Sequence, residues 1–470
     1  MQNLRLTVAI IFALSGCAQA TSFRSTPAAA IGTDAINNAR PAAGSRAAGV
    51  HPALLGNGKI QHVVIIFQEN RTTDNLFNGL PGADTVTSGV NTAGDQVPLQ
   101  SASLTAPWDP GHSHQAFSVD YDGGAMDGFN LERSLCLHKH RHSKNKCPAE
   151  DVRSYAYVPQ SETKPYFSMA KQYAFADKMF ATQAGPSFPA HQYIVSGAAT
   201  ISQSSTLSAA ENPVDATQKF TGGCDSPKGS LVVLIDANGA EDQQVFPCFD
   251  RPALPDLIES KQLTWRYYQS GAGAGLWNAL DAIKHVRYSS EYSVDVVNPP
   301  SQVLKDIANG NLANVVWVTP TSKASDHAGA TNGTGPSWVA SVVNAIGKSA
   351  YWDSTAIFVT WDDWGGFYDH VKPPQYNSYE LGFRVPLIAI GPYAKQGYVS
   401  HRQHEFGSIL KFTEKAFNLG SLGATDVRAD DLSDCFEFSQ KPRPFVPITS
   451  PLGVQYFLHQ PPDNAIPDND

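Results

Sequence analysis

Two short segments of this 470-residue chain place hard oxygen donors directly after apolar runs. In "HVVIIFQEN" (62–70) the run ends in Glu69 and Asn70, and in "TAIFVTWDD" (355–363) it ends in Asp362 and Asp363. Carboxylates and amide carbonyls are the donors that suit a divalent cation. Two adjacent carboxylates repel unless they are solvated or share a cation. The alternative is a surface turn at 69–74, with Arg71 paired to Asp74, and a solvated loop tip at 362–363. Trp361, Trp364, Phe367 and Tyr368 interleave with the acids of the second segment, which favours a partly enclosed site over a loop tip.

Other segments carry groups that can handle a phosphoryl group. In "TQAGPSFPAHQYIVSGAA" (182–199), Ser187 lies between Pro186 and Pro189 at the head of an apolar helical run. A hydroxyl there meets free N–H groups and the positive end of the helix dipole, which attract phosphate oxygens. A plain N-cap serine has the same signature. His112 and His114 ("WDPGHSHQAF") and His327 ("SDHAGATNG") sit in loops rich in Gly, Pro or Ser. Loop imidazoles can bond a phosphoryl oxygen or protonate a leaving group, or simply face solvent. "CLHKHRHSKNKC" (136–147) crowds three histidines and several bases between two cysteines. The ten-residue gap is not a zinc-ligand spacing, and a disulfide-closed basic loop is expected.

These groups must be held by a scaffold. Apolar, β-branched runs recur at 62–67, 230–236, 314–320, 355–363 and 385–392. They lack alternation, as parallel strands buried on both faces do. Helical spacing appears at 256–263 and 407–419, where Ile409, Phe412, Ala416 and Leu419 share a face. An α/β fold with a mostly parallel central sheet follows, and in such sheets sites lie beyond the carboxyl ends of the strands.

Residues 1–20 read as a signal peptide: Arg5, then the apolar core Leu6–Leu14. Processing after "AQA" (18–20) competes with a lipobox, "LSGC" (14–17), that would lipidate Cys17; the lipobox is preferred. Residues 21–57 form a flexible spacer, 58–445 the catalytic domain and 446–470 a Pro-rich tail expected to wrap the surface. Export agrees with the cysteines: Cys136–Cys147 and Cys224–Cys248 would close short loops, leaving Cys435 as a buried thiol. The formal net charge of -9 argues against a nucleic-acid partner.

Over residues 60–420 the chain resembles the phosphoesterase family that includes phosphatidylcholine-type phospholipases C and the acid phosphatase A group. "ENRTTDNLF", "DPGHS", "GPSFPAH", "SDH", "DDWGGFYDHV" and "GFRVPLIAIGP" match family blocks in the same order. The resemblance implies an alkaline-phosphatase-like three-layer α/β/α sandwich. It implies one divalent metal held by Glu69, Asn70, Asp362 and Asp363, and Ser187 as nucleophile through a phosphoseryl intermediate. It implies that His112 and His327 contact the phosphoryl group, one as general acid, and assigns His114 and His370 to substrate binding. The substrate would be a phospholipid or a small phosphorylated molecule.

Two departures stand out. Thr72-Thr73 replace Ser-Phe of the family motif, removing an aromatic. His191 stands where phospholipases C carry Arg; a protonated His191 would bind phosphate and favour acidic pH. Two other readings compete: a sulfatase, because "SFPAH" resembles the Cys/Ser-x-Pro-x-Arg element, and a non-catalytic surface lipoprotein that binds cation or phosphate.

Overall fold

In the computed structural model, residues 55–137, 147–271 and 273–461 are described. The signal peptide, Cys17, nearly all of the spacer, the three histidines of the 136–147 loop and the last nine residues lie outside them.

Eight strands form the central sheet: β1 (His62–Gln68), β2 (Ala174–Ala176), β3 (Trp265–Tyr268), β4 (Val296–Val297), β5 (Val315–Val318), β6 (Thr355–Trp361), β7 (Leu387–Ile390) and β8 (Tyr398–Ser400). Their order is β4-β3-β5-β1-β6-β7-β2-β8. All neighbours run parallel except β6–β7 and β7–β2. The run at 385–392, expected among the parallel strands, thus enters as the one reversed strand. The run at 230–236 does not join this sheet. Val232–Ile235 is the middle strand of a separate antiparallel three-stranded sheet. Apolar runs of equal length read alike in either setting, which is why periodicity alone misassigns them.

Helices cover both faces. α1 (His114–Tyr121) leads, followed by α2 (Lys164–Gln172), α3 (Ser187–Ser196), α4 (Leu254–Ser260), α5 (Gln302–Ala308), α6 (Gly335–Gly347), α7 (Phe406–Phe417) and α8 (Val454–Leu458). α2, α5, α6 and α8 pack with one another on one side, and α3, α4 and α7 on the other. β6 shows both contacts. Phe358 packs edge-on against Phe412 of α7 at 4.9 Å, and Trp361, of opposite parity, against Tyr166 of α2 at 5.1 Å. Successive strand side chains alternate faces, so the sheet is the middle of three layers. The tail lies over α6: Phe457 meets Trp338 at 5.3 Å, and the Asn344 side chain bonds the Ile448 backbone both ways at 2.8 Å.

The disulfides are Cys136–Cys147 and Cys224–Cys248, and Cys435 is a buried free thiol, as expected. Such bonds fit an oxidising compartment. Among the described residues no helix is long and apolar enough to cross a membrane.

Candidate active site

The sheet register builds the site. β1 and β6 pair in parallel with Gln68 opposite Trp361, so the next residues, Glu69 and Asp362, emerge side by side. The Asp362 N–H donates to the Gln68 carbonyl at 3.2 Å, carrying the alignment one step beyond the sheet. Asn70 then turns the chain with φ of +58°, and its N–H donates to Asp362 Oδ1 at 3.1 Å. The return loop needs glycine. At Gly365, φ is +61° and a Cβ would stand 2.3 Å from the Asn70 carbonyl oxygen. At Gly366 a Cβ would stand 2.4 Å from the Gly111 carbonyl, so this approach sets the His112 loop against the site.

Glu69, Asn70, Asp362 and Asp363 are all fully buried, which removes the surface-turn and loop-tip alternatives. Arg71 does not pair with Asp74. It donates to the Asp326 carbonyl at 2.8 Å and the Leu104 carbonyl at 3.2 Å, and lies over the Phe367 ring. Thr72, at the departure from the family motif, caps the one-turn helix Thr73–Leu76 and donates to the Tyr368 carbonyl at 2.9 Å. It ties the exit of β1 to the 362–371 loop.

α3 delivers Ser187. The helix starts after Pro186 without a side-chain cap of its own; instead Asn212 Oδ1 accepts from the Phe188 N–H at 2.9 Å. Pro189 is tolerated in this first turn, where no intrahelical donor is lost. Ser187 Oγ donates to Glu69 Oε2 at 3.2 Å. Asn212 was missed in the sequence, where "AENP" carries no signal for it.

His191, one turn along α3, faces Glu69 rather than open space. Its Nε2 lies 3.2 Å from Glu69 Oε1 and 4.0 Å from Asp362 Oδ2, while Nδ1 is buried without a partner. The hydrogen therefore sits on Nε2 and is donated to Glu69. Burial pushes the imidazole down to about 4, with Asp362 opposing. The depressed imidazole and its contact with Glu69 weigh against the expected protonated, phosphate-binding role.

The His112 Nδ1–H donates to the Pro110 carbonyl at 3.0 Å, and its Nε2 is 2.8 Å from the Asn70 amide. The rings of His112 and His327 lie 5.7 Å apart. His327 Nδ1 donates to the Ala328 carbonyl at 2.7 Å, with Asp109 Oδ2 at 3.8 Å. A 340 Å³ cavity reaches this side of the site, lined by Asp109, Gly111, His112 and Ser113 among others.

The other two histidines are placed differently. His114 opens α1, its N–H on Glu211 at 3.0 Å and its Nδ1 on Glu241. Glu211, another residue the sequence did not single out, is pushed up to about 8, by burial first and then by Glu241. His370 is engaged at both nitrogens, by Asp74 at 2.6 Å and Asp84 at 3.1 Å, beside Arg384. It joins an ion network with Asp74, Asp84 and Arg384, apart from the hydrogen bonds around Ser187.

The donor set fits a divalent cation. Burial, then Asp362 and Asp363, push the Glu69 carboxyl well above the usual range, and Asp362 Oδ2 has no hydrogen-bond partner. The Asn70 amide faces His112 Nε2 with one end and Glu69 Oε2 (3.0 Å) and Asp362 Oδ1 (3.3 Å) with the other. With its nitrogen toward Glu69 and Asp362 the amide donates to both carboxylates and offers its oxygen to His112 Nε2; turned the other way, its oxygen joins theirs as a donor to a cation.

The profile of the phosphoesterase family matches residues 60–420. A non-hemolytic phospholipase C of Pseudomonas aeruginosa is 24% identical, covering 84% of this chain and 60% of its own length. The phospholipase C B of Mycobacterium tuberculosis is 22% identical, covering 83% and 80%. This chain thus spans three fifths of the Pseudomonas relative. Among solved structures, a Vibrio parahaemolyticus protein of the alkaline phosphatase superfamily matches 80% of this chain and 70% of its own, at 11% identity and TM-score 0.37. A lipoteichoic acid synthase from Listeria monocytogenes matches 81% and 77%, at 9% identity and TM-score 0.38. With its profile matched across most of its length, the chain belongs to the phosphoesterase family.

Proposed function

We propose that this protein is an exported phosphoric-ester hydrolase of the phospholipase C or acid phosphatase type, with Ser187 as nucleophile. The observation that carries this reading is the Ser187 hydroxyl bonded to Glu69 at 3.2 Å, within a buried oxygen cage and at the head of α3. Glu69, Asn70, Asp362 and Asp363 would hold one divalent cation, which lowers the pKa of the hydroxyl and offsets charge on the phosphoryl oxygens.

Ser187 Oγ attacks phosphorus and its proton leaves along the hydrogen bond to Glu69. The P–O bond to the substrate alcohol breaks as the Ser187–phosphorus bond forms. His327 holds the transferable proton on Nε2, because Nδ1 is committed to the Ala328 carbonyl; it delivers that proton to the departing oxygen. Asp109 at 3.8 Å stabilises the imidazolium beforehand. Water then attacks the phosphoseryl group and gives a proton to His327, and the Ser187–phosphorus bond breaks as Oγ takes its proton back from Glu69. His112 holds Asn70 in orientation. The helix N-terminus supports the phosphoryl charge. Phospholipase C relatives make a phospholipid one candidate substrate, and a soluble phosphomonoester is the other.

The test compares wild type with Ser187→Ala on nitrophenyl phosphate and phosphatidylcholine, with acid-quenched wild type examined by peptide mass spectrometry. The expected outcome is loss of turnover in the variant and one phosphoryl group on the Ser187 peptide. Unchanged hydrolysis by the variant would overturn the nucleophile. Turnover of sulfate esters alone would favour the sulfatase reading.

A further inference from the structure

A second cluster of ligating side chains lies at the β8 edge of the sheet, where α7 begins and the C-terminal segment returns. His404 Nε2, Asp434 Oδ1 and Cys435 Sγ fall within 4.8 Å of one another. The His404–Asp434 separation is 3.8 Å and the Cys435–Asp434 separation 3.9 Å. Bonds of about 2.0–2.3 Å to a tetrahedral zinc put neighbouring donor atoms roughly 3.3–3.8 Å apart. The two separations that include Asp434 therefore lie within about a tenth of an ångström of that range. His404 and Cys435 are buried, and the Asp434 side chain is 6% exposed.

The hydrogen bonds around the imidazole leave it set up as a ligand. Asp430 Oδ1 accepts the Nδ1–H of His404 at 2.7 Å, leaving Nε2 as an acceptor. Ser400 Oγ lies 2.9 Å from that Nε2 and also bonds Asp434 Oδ2, which the Tyr398 hydroxyl reaches at 3.3 Å. The lone pair of Nε2 is thus held toward Ser400 and Asp434. The Nδ1-to-carboxylate bond is the outer partner that metal-ligating histidines carry, since it fixes the tautomer and ring orientation. Imidazole, carboxylate and thiolate together suit a borderline-soft ion.

We propose that His404, Asp434 and Cys435 bind a structural zinc ion, with Ser400 Oγ in the fourth position. Metal binding releases the Cys435 thiol proton to solvent and forms the Zn–S bond; no oxidation is involved. The ion joins the Ser433–Cys435 turn to the end of β8 and the start of α7. From there the Phe406 N–H reaches Thr182 Oγ1 at 3.0 Å, in the segment that leads to Ser187. The neighbouring Asp74–Asp369–His370 group, although similar in donors, carries no such proposal, because Arg384 already supplies its cation.

The probe is Co(II), titrated into the full-length oxidised protein after chelation. A thiolate-to-cobalt charge-transfer band in the near ultraviolet arises only where a free cysteine ligates, and the cage around Glu69 contains none. We expect the band to saturate by two equivalents in wild type, because the cage also takes a divalent ion, to persist in Glu69→Gln and to fall to baseline in Cys435→Ala. No band in wild type at saturating Co(II) would overturn the proposal. A band that survives Cys435→Ala would overturn it equally. Should Cys435→Ala fail to fold, the zinc content of a Glu69→Gln/Asp362→Asn protein decides: one ion per chain supports the clip, none refutes it.

Discussion

Two buried carboxylate clusters flank the 362–371 loop and are built from the same residue types, yet their charges are settled in opposite ways. In the first, Asp74 and Asp369 are fully buried beside His370, and Arg384 reaches both. Its Nε donates to Asp369 at 2.9 Å, Nη2 to Asp74 at 3.3 Å, and Nη1 to the Asp84 and Asp177 carbonyls. In the second, Glu69 meets Asp362 and Asp363 with Ser187 and His191 bonded to it, and its carboxyl is driven well up by burial and by the two acids. A buried charge without a partner costs several kcal/mol; Arg384 meets that cost in the first cluster, and in the second the oxygen donors would share a cation from solution. The comparison separates a structural knot from a reactive cage where residue composition alone would not.

Neutralising one acid in each cluster should split activity from stability. Glu69→Gln is expected to lower kcat/KM by roughly 10³-fold or more, because a ligand and the Ser187 partner are lost together. Asp74→Asn should leave kcat/KM of the folded protein within a few-fold while costing about 3–5 kcal/mol of stability, measured by urea unfolding, because Arg384 loses a buried partner. If both variants lost activity and stability alike, the clusters would not be distinct.

Arg384→Met attacks the knot from the other side and should cost a similar amount, about 3–5 kcal/mol. Its pH dependence carries the sign. Asp369 is pushed up to about 6, by burial first, with Arg384 restraining the rise. The folded state keeps a proton that the unfolded chain releases near pH 4, so stability falls as pH rises from about 4 to about 6. Without Arg384 that fall should continue above pH 6. A stability profile that ends at the same pH in both proteins would contradict the pairing.

In the cage, chelation near neutral pH should lower the Tm of wild type, and a divalent cation should restore it. Chelated Glu69→Gln should be at least as stable as chelated wild type, since one crowded acid is gone. His191→Ala should weaken metal affinity by about 10–100-fold, read by isothermal titration, through loss of the hydrogen bond that orients Glu69. Thr72→Ala, between the two clusters, should cost about 1 kcal/mol for the lost cap.

Much of the cage was legible because strand ends are legible. The runs 62–67 and 355–361 are long, β-branched and uninterrupted, so the residues after them had to emerge at one edge of a sheet. The identity of the neighbours was not. Asp74 is four residues from Glu69's partner Asn70, but its cation, Arg384, comes from 310 positions away, and no local pattern encodes that distance. The same holds for Asn212, which receives the Phe188 N–H from beyond the α3 loop. His191 reads as a charged substitute for Arg in sequence; burial between Phe67 and Trp277 pushes its imidazole down to about 4. His370 sits inside the most specific motif yet serves the knot, because a motif records what must be kept together and not what each member touches.

Anomalous diffraction from crystals soaked in Mn(II) tests the distinction between cage and knot most directly. The expected result is a peak bonded to oxygens of Glu69, Asn70, Asp362 and Asp363, with none between Asp74 and Asp369. No peak at the cage, or a peak at Asp74–Asp369 beside Arg384, would contradict it.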